Sequence, residues 1–467
     1  MTSKRQFWIL ALAAVLLLVA PIRKGDLAGY DDAVYAHIAK VIVTSGDWLN
    51  IQSNGYPALE HPPGFVWMQA ALFSVFGFSD FLARLPSAVL GVGTVLLVYW
   101  LARRLLQDET TALVAMFVML ATPYFIKYTS HGMTDVPFTF LFLAAVCAWL
   151  KTRDHASWYA VVWLLTAYAL LTRGLVGFAV PVTLGLSWLL ERRGQRAEGK
   201  GPWATPAVIV LALFPLGLWY WHQIWLYGDF FWVVQSNFLA DKLNGEVAGS
   251  WRRYTGVFEY AWMLLQSYWP WLPFLLCGLW SAVKTRDRRV TILLIWCAVM
   301  YASCSVGGSR VLRYLLPAYP AFSILTAMGL VKLVGAQHLQ TGLKWLVPAA
   351  VVASAGIALF PPVSLHAEET KPISEAAHSV TLPGERVGFY DGGQPRFDET
   401  GQIQWYGDRT MWILTEQDKF KIALDEPIAP VWIVDAQTYD TFFAARKDAQ
   451  VVARRGHLVC VKLQVNP

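Results

Sequence analysis

The chain has 467 residues, of which 56% are hydrophobic and only 15% charged, with a mean hydropathy of +0.42. A water-soluble domain carries closer to a quarter of charged residues, so this composition excludes one and describes a polytopic α-helical membrane protein. The formal charge of +6 is mild and its basic clusters lie in short loops between apolar runs, which excludes a nucleic-acid partner.

Lys4-Arg5 precede an apolar run that lasts to about Ile22. Val19-Ala20-Pro21-Ile22 is a poor cleavage pattern, so the run is expected to stay as an uncleaved first span. The loop that follows, 23–63, concentrates acids, a histidine and tyrosines, with Asp31-Asp32-Ala-Val-Tyr35 near its start and Glu60-His61-Pro-Pro at its end. His37 to Ile42 has apolar spacing near the helical period behind Asp31-Asp32, which predicts a short helix lying on the membrane surface. Residues 65–77 hold only about thirteen apolar positions, too few for a span, and suit an interfacial or re-entrant helix.

Runs near 82–105, 109–127, 135–151, 157–172, 174–191, 203–225, 260–283, 290–306, 313–335 and 343–361 can each cross a bilayer. With the first run they make about eleven spans, and thirteen stays open. A cytoplasmic N-terminus then places Arg103-Arg104, Lys151 to Arg153, Glu191 to Lys200, Lys284 to Arg289 and Lys332 to Lys344 on the cytoplasmic side. The first loop, 128–135, Arg173, 227–259, 307–313 and everything beyond Pro361 face outward. Composition turns polar there, so the expected domains are a membrane part, 1–361, and a small extracytoplasmic α/β domain, 362–467. In the tail, 386–390 and 430–434 are expected as buried strands, 438–447 as a helix and 451–463 as a closing hairpin. The five cysteines form neither a metal spacing nor a disulfide framework.

An isolated pair of acids is more often a helix cap than a catalytic group. Here Asp135 lies on the same outward side as Asp31 and Asp32, and acids gathered on one membrane face point to function. A carboxylate can act as general base towards an acceptor hydroxyl. Fixed cations stabilise a departing phosphate. Arg310 and Arg313 start a span on the outward side with Tyr314 as a hydrogen-bond donor; Arg173, Lys242, Arg252 and Arg253 are weaker candidates, and the last three suit lipid headgroups equally well. His37, His131 and His222 are expected to be structural.

Asp31-Asp32-Ala-Val-Tyr35, Gly46-Asp47-Trp48, Glu60-His61-Pro62-Pro63, Arg84-Leu-Pro-Ser87, Thr134-Asp135, Thr172-Arg173-Gly174 and Arg310-Val-Leu-Arg313-Tyr314-Leu-Leu-Pro317 follow one another in an order that resembles the GT-C glycosyltransferases. Within that superfamily the chain looks like the protein mannosyltransferases and lipid A aminoarabinose transferases, which use polyprenyl-phosphate sugars. The resemblance implies Asp31 as the base, with Asp32 where the family usually has Glu, and Asp135 in sugar or acceptor binding. It implies Tyr35, His61, Lys242, Arg310, Arg313, Tyr314 and Arg173 as substrate- or phosphate-binding residues. It also implies Glu60 as a metal ligand, but the family's lysine at the next position is His61 here, and Asn237 stands where the later-loop histidine is expected. A divalent metal on Glu60 and His61 is therefore an option, and no cofactor is required.

The implied activity is inverting transfer of a sugar from undecaprenyl phosphate to an acceptor hydroxyl or phosphate on the periplasmic side of the bacterial inner membrane. Lipid A or lipopolysaccharide is the first acceptor, a protein hydroxyl the second, another envelope glycan the third. The expected partners are the lipid-linked donor, a lipid or glycan acceptor and membrane lipids. A polyprenyl-sugar transporter is the rival class.

Overall fold

The computed structural model describes residues 2–29, 31–60, 62–192, 206–244, 251, 255–287, 289–363, 365–390, 392, 397–425 and 428–464. They form two compact units: 1–23, 59–65 and 85–361 make the first, and 24–58, 66–84 and 362–467 the second.

The first unit is helical, and the protein is a multi-pass membrane protein. Among the described residues, Ser3–Arg23, Asp80–Leu106, Trp158–Leu190, Leu312–Val334 and Ala336–Leu359 are long and apolar enough to cross a bilayer. Glu109–Leu120 and Pro123–Thr129 form an apolar pair bent by 60°, where Pro123 disfavours helical backbone at the residue before it. Shorter helices surround these, among them Asp135–Lys151, Leu272–Thr285 and Thr291–Val306. The run expected at 260–283 is interrupted: Gly256–Ser267 ends before Pro270, and a new helix starts at Leu272.

Trp158–Leu190 is not one straight rod, since a 3₁₀ stretch, Gly174–Phe178, separates its two α-helices. Gly174 adopts φ +56°, and the Gly177 backbone lies against that of Leu170, where an added Cβ would sit 2.7 Å from the Leu170 Cα. Seven residues of straight helix separate such positions by about 10 Å. The chain therefore turns back at Gly174, leaving Trp158–Arg173 and Ala179–Arg192 as separate arms. Elsewhere small residues let helices touch. Gly278 meets the Leu325 carbonyl and Gly329 the Phe274 carbonyl, so Leu272–Thr285 and Tyr319–Val334 pack backbone to backbone.

The second unit is built on a five-stranded sheet in the order Met411–Leu414, Val387–Tyr390, Val431–Asp435, Leu458–Leu463, Ala449–Arg455. The first three strands are parallel and the last two close an antiparallel hairpin. Val431–Asp435 and Leu458–Leu463 are almost wholly buried, in keeping with their Val-rich sequences. Gly388 pairs with Trp432, whose indole occupies the space a side chain at 388 would need. The strands anticipated from sequence are present. The expected helix is shorter, Ala436–Phe442, and the Met411–Leu414 strand and the helices Thr370–Val380, Phe397–Gly407 and Gln417–Asp425 are additional.

The anticipated loop helix exists as Asp31–Ser45, and it packs against Phe397–Gly407. Ala33, Ala36, Ala39 and Ile42 are fully buried, and Lys40 pairs with Asp408 at 2.6 Å. The Gly64–Phe76 helix has 13 residues, about 20 Å of rise, less than a hydrocarbon core.

Candidate active site

In the first unit, sequence-distant cations meet on one tyrosine. Tyr314 lies in the 3₁₀ turn Leu312–Ala318. The Arg173 guanidinium is 5.1 Å from its ring centre, the Arg313 guanidinium 5.8 Å and the Lys242 ammonium 5.8 Å. All are within cation–π range. Lys242 Nζ also donates to the Tyr314 hydroxyl at 3.5 Å. Lys242 occupies the last turn of Asp229–Asn244, and its carbonyl accepts from the Gly308 amide at 2.7 Å, which ties that helix end to the loop before Tyr314.

Arg173 pairs with Asp135 at 2.5 Å and donates to the Thr134 hydroxyl at 3.2 Å. Local structure explains both ends. Asp135 opens the Asp135–Lys151 helix and Arg173 closes Trp158–Arg173, so each charge complements its helix dipole. The Asp135 side chain is 3% exposed and that of Arg173 12%, so the pair lies largely out of water.

Arg310 is placed differently from its neighbours. Its Nη1 donates to the Ser305 carbonyl at 2.6 Å and the Cys304 carbonyl at 3.3 Å, and its Nε is 3.7 Å from Glu259. It caps the end of Thr291–Val306, with Gly256 pressed against the guanidinium. The role of Glu259 was not anticipated, because nothing in its local sequence signals a partner 51 residues away.

The end of the first loop is fixed within the same unit. The Tyr168 hydroxyl donates to the Gly64 carbonyl at 2.9 Å, and Gln235 donates to the Leu59 carbonyl at 2.5 Å. A Cβ at Gly64 would lie 2.7 Å from the Leu171 carbonyl group. Glu60 is exposed between these anchors, and His61 lies outside the described residues, as do Arg252 and Arg253. Among the described residues no three His, Cys, Asp or Glu side chains converge to hold a metal ion. The described donor set does not amount to a metal site.

In the second unit, the two loop acids differ. Asp31 begins the Asp31–Ser45 helix and is half-buried. Asp32 is fully buried; it accepts from the Ala28 amide at 3.0 Å and faces Arg84 Nε at 3.7 Å. Arg84 also donates to the carbonyls of Gly25 and Asp26. Asp32 is thus held in place by its neighbours, and Asp31 is the more accessible carboxylate. Tyr35 is 7% exposed, one turn along the helix. His37 is buried too, and burial, aided by Lys40, pushes its pKa down to about 4.

A helical membrane part joined to a small sheet domain is the fold of a solved bacterial membrane protein, and three comparisons agree on the group of proteins this chain resembles. Residues 60–221 match the family of dolichyl-phosphate-mannose-protein mannosyltransferases. The undecaprenyl phosphate-alpha-4-amino-4-deoxy-L-arabinose arabinosyl transferase of Pseudomonas aeruginosa is 26% identical over 97% of this chain and 81% of its own length. The enzyme of the same name from Edwardsiella ictaluri is 28% identical over 70% of this chain, and the match spans 60% of the relative. The crystal structure of ArnT from Cupriavidus metallidurans bound to undecaprenyl phosphate superposes with a TM-score of 0.76 at 19% identity, over 99% of this chain and 98% of that one.

Proposed function

We propose that the protein is an inverting glycosyltransferase that moves a sugar from undecaprenyl phosphate to lipid A on the outer face of the bacterial inner membrane. The observation that carries it is the gathering of Arg173, Arg313 and Lys242 around Tyr314 beside Asp135. A polyprenyl phosphate gains negative charge as its sugar leaves, and preorganised cations stabilise that charge without reorganising at the moment of reaction. Tyr314 contributes its hydroxyl as a further donor. The relatives' shared name makes 4-amino-4-deoxy-L-arabinose the first sugar to test.

Asp31 is assigned the role of base, with Asp32 and Arg84 holding the helix start that carries it. A hydroxyl acceptor must lose its proton as it attacks the anomeric carbon, and Asp31 receives that proton. A phosphate acceptor, with a second pKa near 6, already presents an anionic oxygen at neutral pH and needs less help from a base. Asp135 is assigned to hold Arg173 and to meet the sugar or acceptor. No step is routed through a metal on Glu60 and His61. The topology that goes with these roles has a cytoplasmic N-terminus and a periplasmic tail. The description of the matching family favours a protein hydroxyl as the second acceptor. A transporter fits less well, because Asp135 and Arg173 stand at helix ends and not at mid-span.

The test is transfer by the purified full-length protein, given undecaprenyl-phosphate-linked aminoarabinose and lipid A, with products identified by mass spectrometry. Modified lipid A is expected from the wild type, and a roughly hundredfold or greater loss from Asp31→Asn if the accepting group is a hydroxyl. Failure of the wild type to transfer to lipid A, protein or another envelope glycan sinks the enzymatic assignment.

A further inference from the structure

We propose that the tail domain positions Asp31, through two side chains of the Phe397–Gly407 helix that hold the peptide group at Leu27. The inference rests on the role assigned to Asp31 above. Leu27 is fully buried, four residues ahead of the acid. Its amide donates to the Tyr406 hydroxyl at 2.8 Å, and its carbonyl accepts from Gln402 Nε2 at 2.9 Å. Gln402 and Tyr406 are four apart on one helix and so share a face. Both polar groups of one buried residue are thereby satisfied by the tail, where water cannot replace them.

Neither tail residue is free to swing. The Gln402 carbonyl oxygen accepts from the Thr370 hydroxyl at 2.8 Å, which settles the orientation of its amide. The Tyr406 hydroxyl donates onward to Asp80 at 3.0 Å, and Asp80 also accepts from Trp405 Nε1 at 2.7 Å. Lys371, one residue past Thr370, pairs with Asp26 at 3.1 Å and stacks its ammonium 4.9 Å from the Tyr406 ring.

From Leu27 the path to the acid is short. The next residue, Ala28, donates its amide to Asp32, and Arg84 braces the same carboxylate while binding the Gly25 and Asp26 carbonyls. The first turn of the Asp31–Ser45 helix is thus set by a strap, 25–28, whose other side is gripped by the tail. Gln402, Tyr406 and Lys371 act on Asp31 through the strap, as positioning residues. Rates are sensitive to small misplacements of a reacting group, so a loosened strap shows in turnover before it shows in donor binding.

Tyr406→Phe keeps the ring and removes only the hydroxyl, and Gln402→Met keeps the bulk and removes only the amide. Each is made in the full-length protein beside Asp31→Asn, with kcat, donor KM, the pH profile and the melting temperature recorded. Each variant is expected to lower kcat roughly tenfold, the effect of one hydrogen bond. The acidic limb of the pH profile is expected to move, with donor KM unchanged and most of the protein still folded at assay temperature. Wild-type kcat and pH profile in both variants, with Asp31→Asn impaired, overturn the positioning role and leave the proposed function standing. A kcat loss that only follows the fraction unfolded, with an unmoved pH profile, overturns it as well. Undiminished transfer by Asp31→Asn removes the assigned base itself, and the positioning role with it.

Discussion

Arg173 donates to Asp135 across 2.5 Å while its guanidinium rests 5.1 Å from the centre of the Tyr314 ring. One cation therefore serves two partners: a buried carboxylate that fixes its position and an aromatic face that it shares with Arg313 and Lys242. The pair is a weak source of net stability, since desolvation offsets much of its attraction. Removing one member alone is another matter.

Asp135→Ala leaves a largely buried guanidinium without its carboxylate and is expected to destabilise the protein by about 3–5 kcal/mol. Joint replacement, Asp135→Leu with Arg173→Met, is expected to recover most of the melting temperature and none of the sugar transfer. Thermal unfolding and transfer, measured on the same preparations, separate the two effects.

Lys242→Met is expected to weaken binding of undecaprenyl phosphate roughly tenfold, as one lost charge-assisted hydrogen bond implies. Arg310→Met should act otherwise. Its guanidinium serves the carbonyls of Cys304 and Ser305, so the expected result is a lower melting temperature with no selective loss of phosphate affinity. Equal effects of the two substitutions on binding would contradict the separation drawn between these residues.

His37 makes a pH dependence. Its folded pKa is lowered to about 4, below the ordinary 6.5, so the unfolded chain binds the proton more readily. The contribution of His37 to stability is complete above pH 6.5, declines as pH falls towards 4, and changes little below that. The full span amounts to about 3 kcal/mol. His37→Leu is expected to flatten the melting temperature between pH 4 and 6.5, and a curve as steep as that of the wild type would show that other groups carry it.

Gly64→Ala places a methyl 2.7 Å from the Leu171 carbonyl group, which is helix backbone and cannot rotate away. Overpacking of this kind costs about 1–3 kcal/mol. The substitution is expected to lower the melting temperature, as thermal unfolding of the purified protein would show.

Much of the fold was legible because long apolar runs and Val-rich strands are strong signals. The turn at Gly174 between two apolar arms was among them. Bends at Pro123 and Pro270 were harder, since the apolar pattern continues through both. The Phe397–Gly407 helix escaped notice because Phe-Asp-Glu-Thr-Gly-Gln-Ile-Gln-Trp-Tyr-Gly has a glycine inside it and weak apolar periodicity. Among site residues, Arg173, Lys242, Arg313 and Tyr314 were recognisable as candidates, yet their convergence was not. It depends on how helices separated by up to 141 residues are packed, as the positions of Arg173 and Tyr314 illustrate. The bracing of Asp32 by Arg84 was hidden for the same reason.

The grip of Gln402 and Tyr406 on Leu27 has a consequence for engineering and for descent. The strap and the tail are specified by different ends of the gene but must be inherited as a pair. A chimera that takes its tail from a relative and keeps its own first loop would leave a buried peptide facing the wrong side chains, whereas exchanging 24–58, 66–84 and 362–467 together preserves every contact of that unit.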